Sequence, residues 1–426
     1  MTRTVVLQKA ASNATITARV ITLYSRPKPR RPRLPVEVYE RIIDDLSGDG
    51  KTLHSCALTC QAWLPRARYR LYIRVQLVSV FMVARFLDTI LHICPANATL
   101  VRCLSIGPHV TRTRDVQEVN HLVMTAVLRL APHLSSLQEL CILECPLQIH
   151  STFLPLLGQF NSVTRVSLEW TQFKSFSQFK RHVLTFRALK SLRLFNVSWK
   201  MRRQLVISKP GRETSRFNLK GPALEYVQLH CHDDSEGVVE DTIRWLLTSP
   251  TVSSLTTLSV WPIVTAAEVH AFKLLILTCR QTLRTLEIIC ADPWGEPADF
   301  GGINLHESHA LEDLRMRHVH VSRLPEVVAF LQHVPPSLRV LSLQFAGTRA
   351  EMLSAPAWTD LNATLNARLV ALKRLAVGLI VPQCEGGPPM LQISEKEVRA
   401  IFHDSHARRI LLPYSEDGVF ARFRDV

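Results

Sequence analysis

Apolar residues recur along the chain at offsets 0, 3 and 5. The triplets are Val101/Leu104/Ile106, Leu137/Leu140/Ile142, Val163/Val166/Leu168, Leu189/Leu192/Leu194 and Leu224/Val227/Leu229. They continue as Leu255/Leu258/Val260, Leu283/Leu286/Ile288, Leu311/Leu314/Met316, Leu338/Leu341/Leu343 and Leu372/Leu375/Val377. Successive starts lie 36, 26, 26, 35, 31, 28, 28, 27 and 34 residues apart. The last two members of each triplet are two residues apart, so on an extended strand they face the same way. Helical periodicity fills the intervals, most clearly at 116–134, 241–249, 266–279 and 324–334. Each unit therefore predicts one short strand followed by one helix. Neither can bury its apolar side alone, and stacking neighbouring units solves that.

Residues 137–147, LQELCILECPL, fit L-x-x-L-x-L-x-x-C-x-L with Ile142 at one Leu place. In this the chain resembles leucine-rich repeats of the longer type. Elsewhere the Asn/Cys place is taken by Thr171, Val197, His232, Ile263, Ala291, Val319 and Ala346. Irregular turns are therefore expected rather than a smooth horseshoe. The fold expected is α/β: an irregular leucine-rich-repeat-like solenoid over 101–426 with a C-terminal cap. GGPP at 386–389 breaks the pattern, 393–409 reads as a capping helix, and 410–418 as a final strand or turn. The competing arrangement is a doubly wound α/β domain, whose strands would be continuous apolar runs. Polar residues instead alternate through Ser167-Leu168-Glu169, Arg193-Leu194, Glu287-Ile288 and Arg315-Met316-Arg317. One exposed face fits a solenoid better.

In such a solenoid, offsets 2, 4 and 6 point to the concave surface. The resemblance places Arg165, Glu169, Arg193, Phe195, Tyr226, His230, Trp261, Glu287, Arg315 and Arg317 there as the expected target-binding residues. Aromatic and arginine side chains are the types enriched at interface hot spots. Packing of some of them under loops is the plainer alternative.

Before the repeats, residues 34–73 carry a separate pattern. Val38, Tyr39, Ile42, Ile43 and Leu46 recur at helical spacing, with Glu37, Glu40, Arg41, Asp44 and Asp45 on the other face. Pro35 costs nothing at a first helical position, where its missing N–H has no partner. Ser47-Gly48-Asp49-Gly50 ends this helix. A second follows with Leu53, Cys56, Ala57 and Cys60, then a third with Trp63, Leu64, Ala67, Leu71 and Tyr72. A core built from about 40 residues is marginal, so the module is expected to lean on a neighbour or a partner.

This segment resembles an F-box. Leu34, Pro35, Glu37, Val38, Ile42, Ile43, Leu46, Leu53, Leu58, Cys60 and Trp63 occupy the family's places, with Thr59 where an aliphatic residue is usual. Taken with the repeats, the chain resembles fungal-type F-box/leucine-rich-repeat-like proteins. The resemblance implies that those eleven residues dock a Skp-type adaptor and, through it, the cullin and RING subunits of an SCF-type ubiquitin ligase. The recognition mode would be helix-in-groove. Residues 74–100 read as a linker helix, centred on LVSVFMVARFLDTIL.

Charge changes the picture little. The net charge is +15, but residues 1–33 hold eight basic residues and no acid. About half of the excess thus belongs to a basic tail, expected to be disordered: an import patch, a transit peptide or a solvated linker. It is not a nucleic-acid footprint of the folded body. No apolar run reaches the roughly 18 residues of a membrane span. Ten cysteines without a CxxC read as reduced thiols in a cytoplasmic or nuclear protein.

No GxGxxG, P-loop, GxSxG or HExxH occurs. His230-Cys231-His232-Asp233-Asp234 is ligand-rich, but strand neighbours alternate faces, and two histidines do not close a zinc site. No metal, cofactor or catalytic residue is expected. The expected function is a non-catalytic substrate receptor that binds a target protein through its repeats. A repeat scaffold without ligase association is the alternative, and a nucleic-acid binder using the tail is a more distant one.

Overall fold

The computed structural model describes residues 35–108, 116–147, 153–201, 221–231, 237–261, 265–290, 303–347, 351, 357–380 and 411–413. The basic tail, Leu34, His232–Asp234 and the expected capping helix at 393–409 lie outside these.

The chain is α/β and organised by one large parallel sheet. Its twelve described strands are β1 (Arg74–Leu77), β2 (Cys103–Ile106), β3 (Glu139–Leu143), β5 (Arg165–Glu169), β7 (Ser191–Phe195), β9 (Tyr226–His230) and β10 (Thr257–Trp261), then β11 (Thr285–Ile289), β12 (Asp313–His320), β13 (Val340–Ala346), β14 (Arg374–Ile380) and β15 (Leu411–Pro413). Each strand pairs with the one before it, and the order never doubles back. A doubly wound sheet reverses its order at a switch point; the described strands do not.

The apolar triplets explain the ladder. Leu104, Leu140, Val166 and Leu192 stand in register across β2, β3, β5 and β7. Val227, Leu258, Leu286, Leu314, Leu341 and Leu375 carry the same row to β14. All ten are buried. Burying a side chain of this size contributes roughly 1.5–3 kcal/mol. Slipping any strand by one residue would turn its apolar pair to the other face, so burial fixes the register.

Helices cover that apolar side. They include α4 (Val80–Asp88), α5 (Val116–Leu130), α6 (Phe153–Leu157), α7 (Phe176–Thr185), α8 (Val238–Leu247), α9 (Ala266–Thr278) and α10 (Leu324–Leu331). Helix α9 starts with a capping box: the Glu268 N–H donates to Thr265 Oγ at 3.2 Å, and the Thr265 N–H to Glu268 Oε2 at 3.0 Å.

Two expectations change. Residues 74–100 are not simply a linker helix: Arg74–Leu77 add strand β1 to the sheet, and α4 follows. Three consecutive turns, after β3, β5 and β7, are also more regular than the missing asparagines implied. Glu144, Trp170 and Asn196, all at offset 7, share a left-handed backbone with φ of 49, 53 and 51°. Each donates its N–H to the last carbonyl of the next strand, at 2.8, 2.7 and 2.6 Å. The chain then forms a second parallel sheet from β4 (Pro146–Leu147), β6 (Gln172–Ser175) and β8 (Ser198–Met201). Backbone geometry, with a buried residue at offset 8 (Cys145, Thr171, Val197), does what an asparagine was expected to do.

Gly107, at offset 6 directly after β2, donates its N–H back to the Leu77 carbonyl and has φ +131°, and a Cβ there would run into the Leu143 carbonyl. Gly107→Ala is expected to cost more than about 2 kcal/mol. Gly48→Ala, with open space around it, should be close to neutral. Urea unfolding of the two variants checks this.

Candidate protein-interaction surfaces

The first surface is the helical module, α1 (Val36–Asp45), α2 (Gly50–Thr59) and α3 (Leu64–Ile73). Ile43, Leu53, Cys56 and Ala67 form a small core of its own, separate from that of the sheet. Tyr39 and Trp63 close over it, their ring centres 6.2 Å apart. The Asp49 carboxylate caps α2, accepting from the Thr52 N–H at 3.0 Å. Asp44 ties α1 to α3 by pairing with both Arg66 and Arg70, and these guanidiniums hold its carboxyl well below the usual range.

Helix α1 has a second apolar face. Val36, Val38 and Ile42 are 50, 41 and 49% exposed, and Leu58 on α2 is 88% exposed. Val38 and Ile42 are four apart and so lie on one face of the helix. The module thus divides the expected adaptor residues. Pro35, Glu37, Val38, Ile42, Leu58 and Cys60 are exposed, and Leu46 and Trp63 are half-buried. Ile43 and Leu53 are a correction: each is 1% exposed, so they hold the module together rather than face a partner.

The second surface is the polar face of the large sheet. The strand registers bring the expected residues into three rows. Arg165, Ser191 and Tyr226 lie in one, Ser167, Arg193 and Gln228 in the next, and Glu169, Phe195, His230 and Trp261 in the third. Ring centres run along the third row: Trp170–Phe195 at 6.0 Å, Phe195–His230 at 5.8 Å and His230–Trp261 at 5.9 Å.

Ion pairs fix most of the charges. Arg165 pairs with Glu139 at 3.1 Å, Arg315 with Asp313 at 2.6 Å and Arg317 with Glu287 at 2.6 Å. Two expected contact residues are corrected here: Glu287 and His230 are buried within the face and not presented by it. His230 is positioned by a relay. Tyr226 Oη donates to Gln228 Oε1 at 2.9 Å, and Gln228 Nε2 lies 3.1 Å from His230 Nε2. An amide donor facing Nε2 requires that nitrogen to be unprotonated. Burial, with Arg317 and Arg193 nearby, pulls the His230 pKa down to about 4.

A groove of about 640 Å³ runs from the Ser47–Gly50 turn of the module across this face to Gln228. Its floor carries Cys103, Ser105, Cys141 and Ser167. Burial pushes the Cys103 thiol up to about 11 and raises Cys141 well above its ordinary value. Both stay protonated, small and weakly polar. The first units' part of this face follows the same offset rule that gave the later ones, so that rule locates it. Trp170 is different: it follows its strand, at a turn position that only the backbone reveals, and is 52% exposed.

Among the described residues no group of three His, Cys, Asp or Glu is placed to hold a metal ion. Cys231 belongs to the apolar core of the sheet, which does not include His230. No helix there is long and apolar enough to cross a membrane. No protein-family model matches the chain, and no curated protein matches it.

His230 generates a pH prediction. Its folded pKa lies below the unfolded value of about 6.5, so the unfolded chain binds the extra proton. Its penalty is absent above pH 6.5 and grows as pH falls toward about 4, reaching roughly 3 kcal/mol. Thermal unfolding from pH 7 to 4.5 is expected to show a smaller loss of Tm for His230→Gln than for the unsubstituted protein. Equal slopes would mean that His230 is not buried neutral.

Proposed function

We propose that this protein is the substrate-receptor subunit of an SCF-type ubiquitin ligase. The module at 34–73, read as an F-box, docks a Skp-type adaptor, and through it cullin and RING subunits. The sheet, read as a leucine-rich-repeat-like solenoid, holds a target protein on its polar face.

The observation that carries the reading is the second apolar face of the module. A three-helix unit with its own small core still turns Val38, Ile42 and Leu58 to solvent. A module with little core to spare gains nothing from that unless a partner covers it. Had these residues packed on the first repeat, the scaffold reading would gain; their exposure supports docking.

The solenoid reading draws on strand order, on units 26–36 residues apart and on a turn repeated at one offset. Such a receptor makes no bonds itself. It raises the effective concentration of target lysines near a charged ubiquitin carrier brought by its partners. The polar face, with aromatic rings in a row and paired arginines, has the residue types that anchor protein interfaces.

The test is co-purification with a Skp-type adaptor, unsubstituted protein against a Val38→Ala/Ile42→Ala/Leu58→Ala triple variant. All three residues are exposed, so the fold should change by less than about 0.5 kcal/mol per site. Stoichiometric adaptor with the first and none with the second is expected. Adaptor absent from both would leave a repeat scaffold.

A further inference from the structure

The carboxylates on the polar face of β2 to β14 are Glu139, Glu169, Glu287 and Asp313. Three are held by a guanidinium: Glu139 by Arg165, Glu287 by Arg317 and Asp313 by Arg315. Glu169 is not. It accepts from Ser167 Oγ at 3.0 Å and from Cys141 Sγ at 3.5 Å, both neutral donors. Among the described residues no cation pairs with it. Arg193, on the next strand, reaches instead over the Tyr226 ring on β9 and is hydrogen-bonded to that residue. Burial and the Glu169 carboxylate raise the Cys141 thiol, and no guanidinium offsets them there.

A second carboxylate stands at the same end of the strands. Glu144, Trp170 and Asn196 share an offset, a left-handed backbone and the hydrogen bond to the next strand. Their side chains therefore leave the chain in one direction, about 4.8 Å apart from unit to unit. This sets Glu144 on one side of Trp170 and Phe195, its ring centre 6.0 Å away, on the other. Glu144, like Glu169, is half-buried and has no ion pair among the described residues.

Trp170 is out of keeping with its own backbone. A bulky side chain at positive φ is strained, whereas Asn tolerates it, and Asn196 takes the same place one unit later. The ring is 52% exposed, so the core does not require it. An indole face attracts cations, and a guanidinium fills that role more often than an ammonium. A guanidinium also lies flat on a ring while its edge forks toward carboxylates.

We propose that Trp170, Glu144 and Glu169 receive an arginine side chain of the target protein, its guanidinium stacked on the indole and its edge toward the two carboxylates. The proposal rests on the reading that this face receives the target, and it adds what the target presents. The net charge of +15 opposes general attraction of a cationic peptide, so binding has to come from a local site.

The test uses the full chain and three tetramethylrhodamine-labelled peptides read by fluorescence anisotropy. The first is Gly-Ser-Arg-Gly-Arg-Ser-Gly; the others carry citrulline or Lys in place of Arg. Citrulline keeps the shape and loses the charge. The Arg peptide is expected to bind at least about tenfold more tightly than the citrulline peptide, with the Lys peptide in between, because Lys keeps the charge and loses the fork. Trp170→Asn should weaken the Arg peptide about tenfold, with Trp170→Phe in between, since a smaller ring holds a cation less well. The Glu144→Gln/Glu169→Gln double variant should weaken it at least about tenfold. Glu326→Gln, on α10 at the helical side, should change nothing. A thermal melt matching that of the unsubstituted protein shows that each variant is folded.

Equal binding of the citrulline peptide, tighter binding of the Lys peptide, or no binding of the Arg peptide at about 1 mM would overturn the proposal. So would an unchanged affinity in Trp170→Asn or in the double variant. The assay needs no adaptor. Its failure therefore leaves adaptor docking standing, and loss of adaptor co-purification leaves the arginine site standing.

Discussion

Register in the large parallel sheet is the constraint on which the rest depends. Two apolar residues per strand must face the helices, and they do so in unbroken rows from β2 to β14. With those rows fixed, the alternating residues are fixed too. Arg193 stands beside Gln228 and Phe195 beside His230 because Leu192 and Leu194 stand beside Val227 and Leu229. The candidate target surface is thus a by-product of core packing. The core sets where its members sit, and the ion pairs and the Tyr226–Gln228–His230 relay then restrict what stands there.

The helical module follows a different economy. Its core is four buried side chains, and an ion triad on Asp44 and a closing pair of rings supplement it. Nothing in that arrangement needs Val38, Ile42 or Leu58. The same unit also lends its α1–α2 turn and Arg70 to one end of the groove. Two faces of one small body thus look toward two different surroundings, with only a few helical turns between them.

Much of this was legible in the amino-acid order. The 0/3/5 triplets located the strands because a period of two on one face leaves few alternatives, and Leu137, Leu189 and Leu311 are all buried as that pattern requires. The strand at Arg74–Leu77 was not legible. Val75 and Leu77 form only a pair, and the apolar run beyond them reads as helix. The division of α1 into an inward and an outward apolar face was also hidden, since Ile42 and Ile43 are equal in sequence and differ only in what lies beside them. The fate of charges was the least accessible. Arg317 and Glu287 pair across strands while Arg193 lies over the Tyr226 ring instead of against a carboxylate, and this depends on side-chain reach rather than on order. The left-handed turn at Trp170 escaped for a related reason: a bulky residue is not an ordinary signal for that backbone, and only the repeating geometry demands it.

The strand order has a consequence for synthesis. Each described strand pairs first with the one translated before it. A strand leaving the ribosome therefore meets a template already made, and it need not wait for a segment still to come. Parallel sheets are usually slow to assemble because their partners are distant along the chain. Here the distance to the earlier partner is one unit, whatever the length of the connection. Nascent chain can be added to the sheet at the pace of translation, with one free edge at a time exposed to the cell.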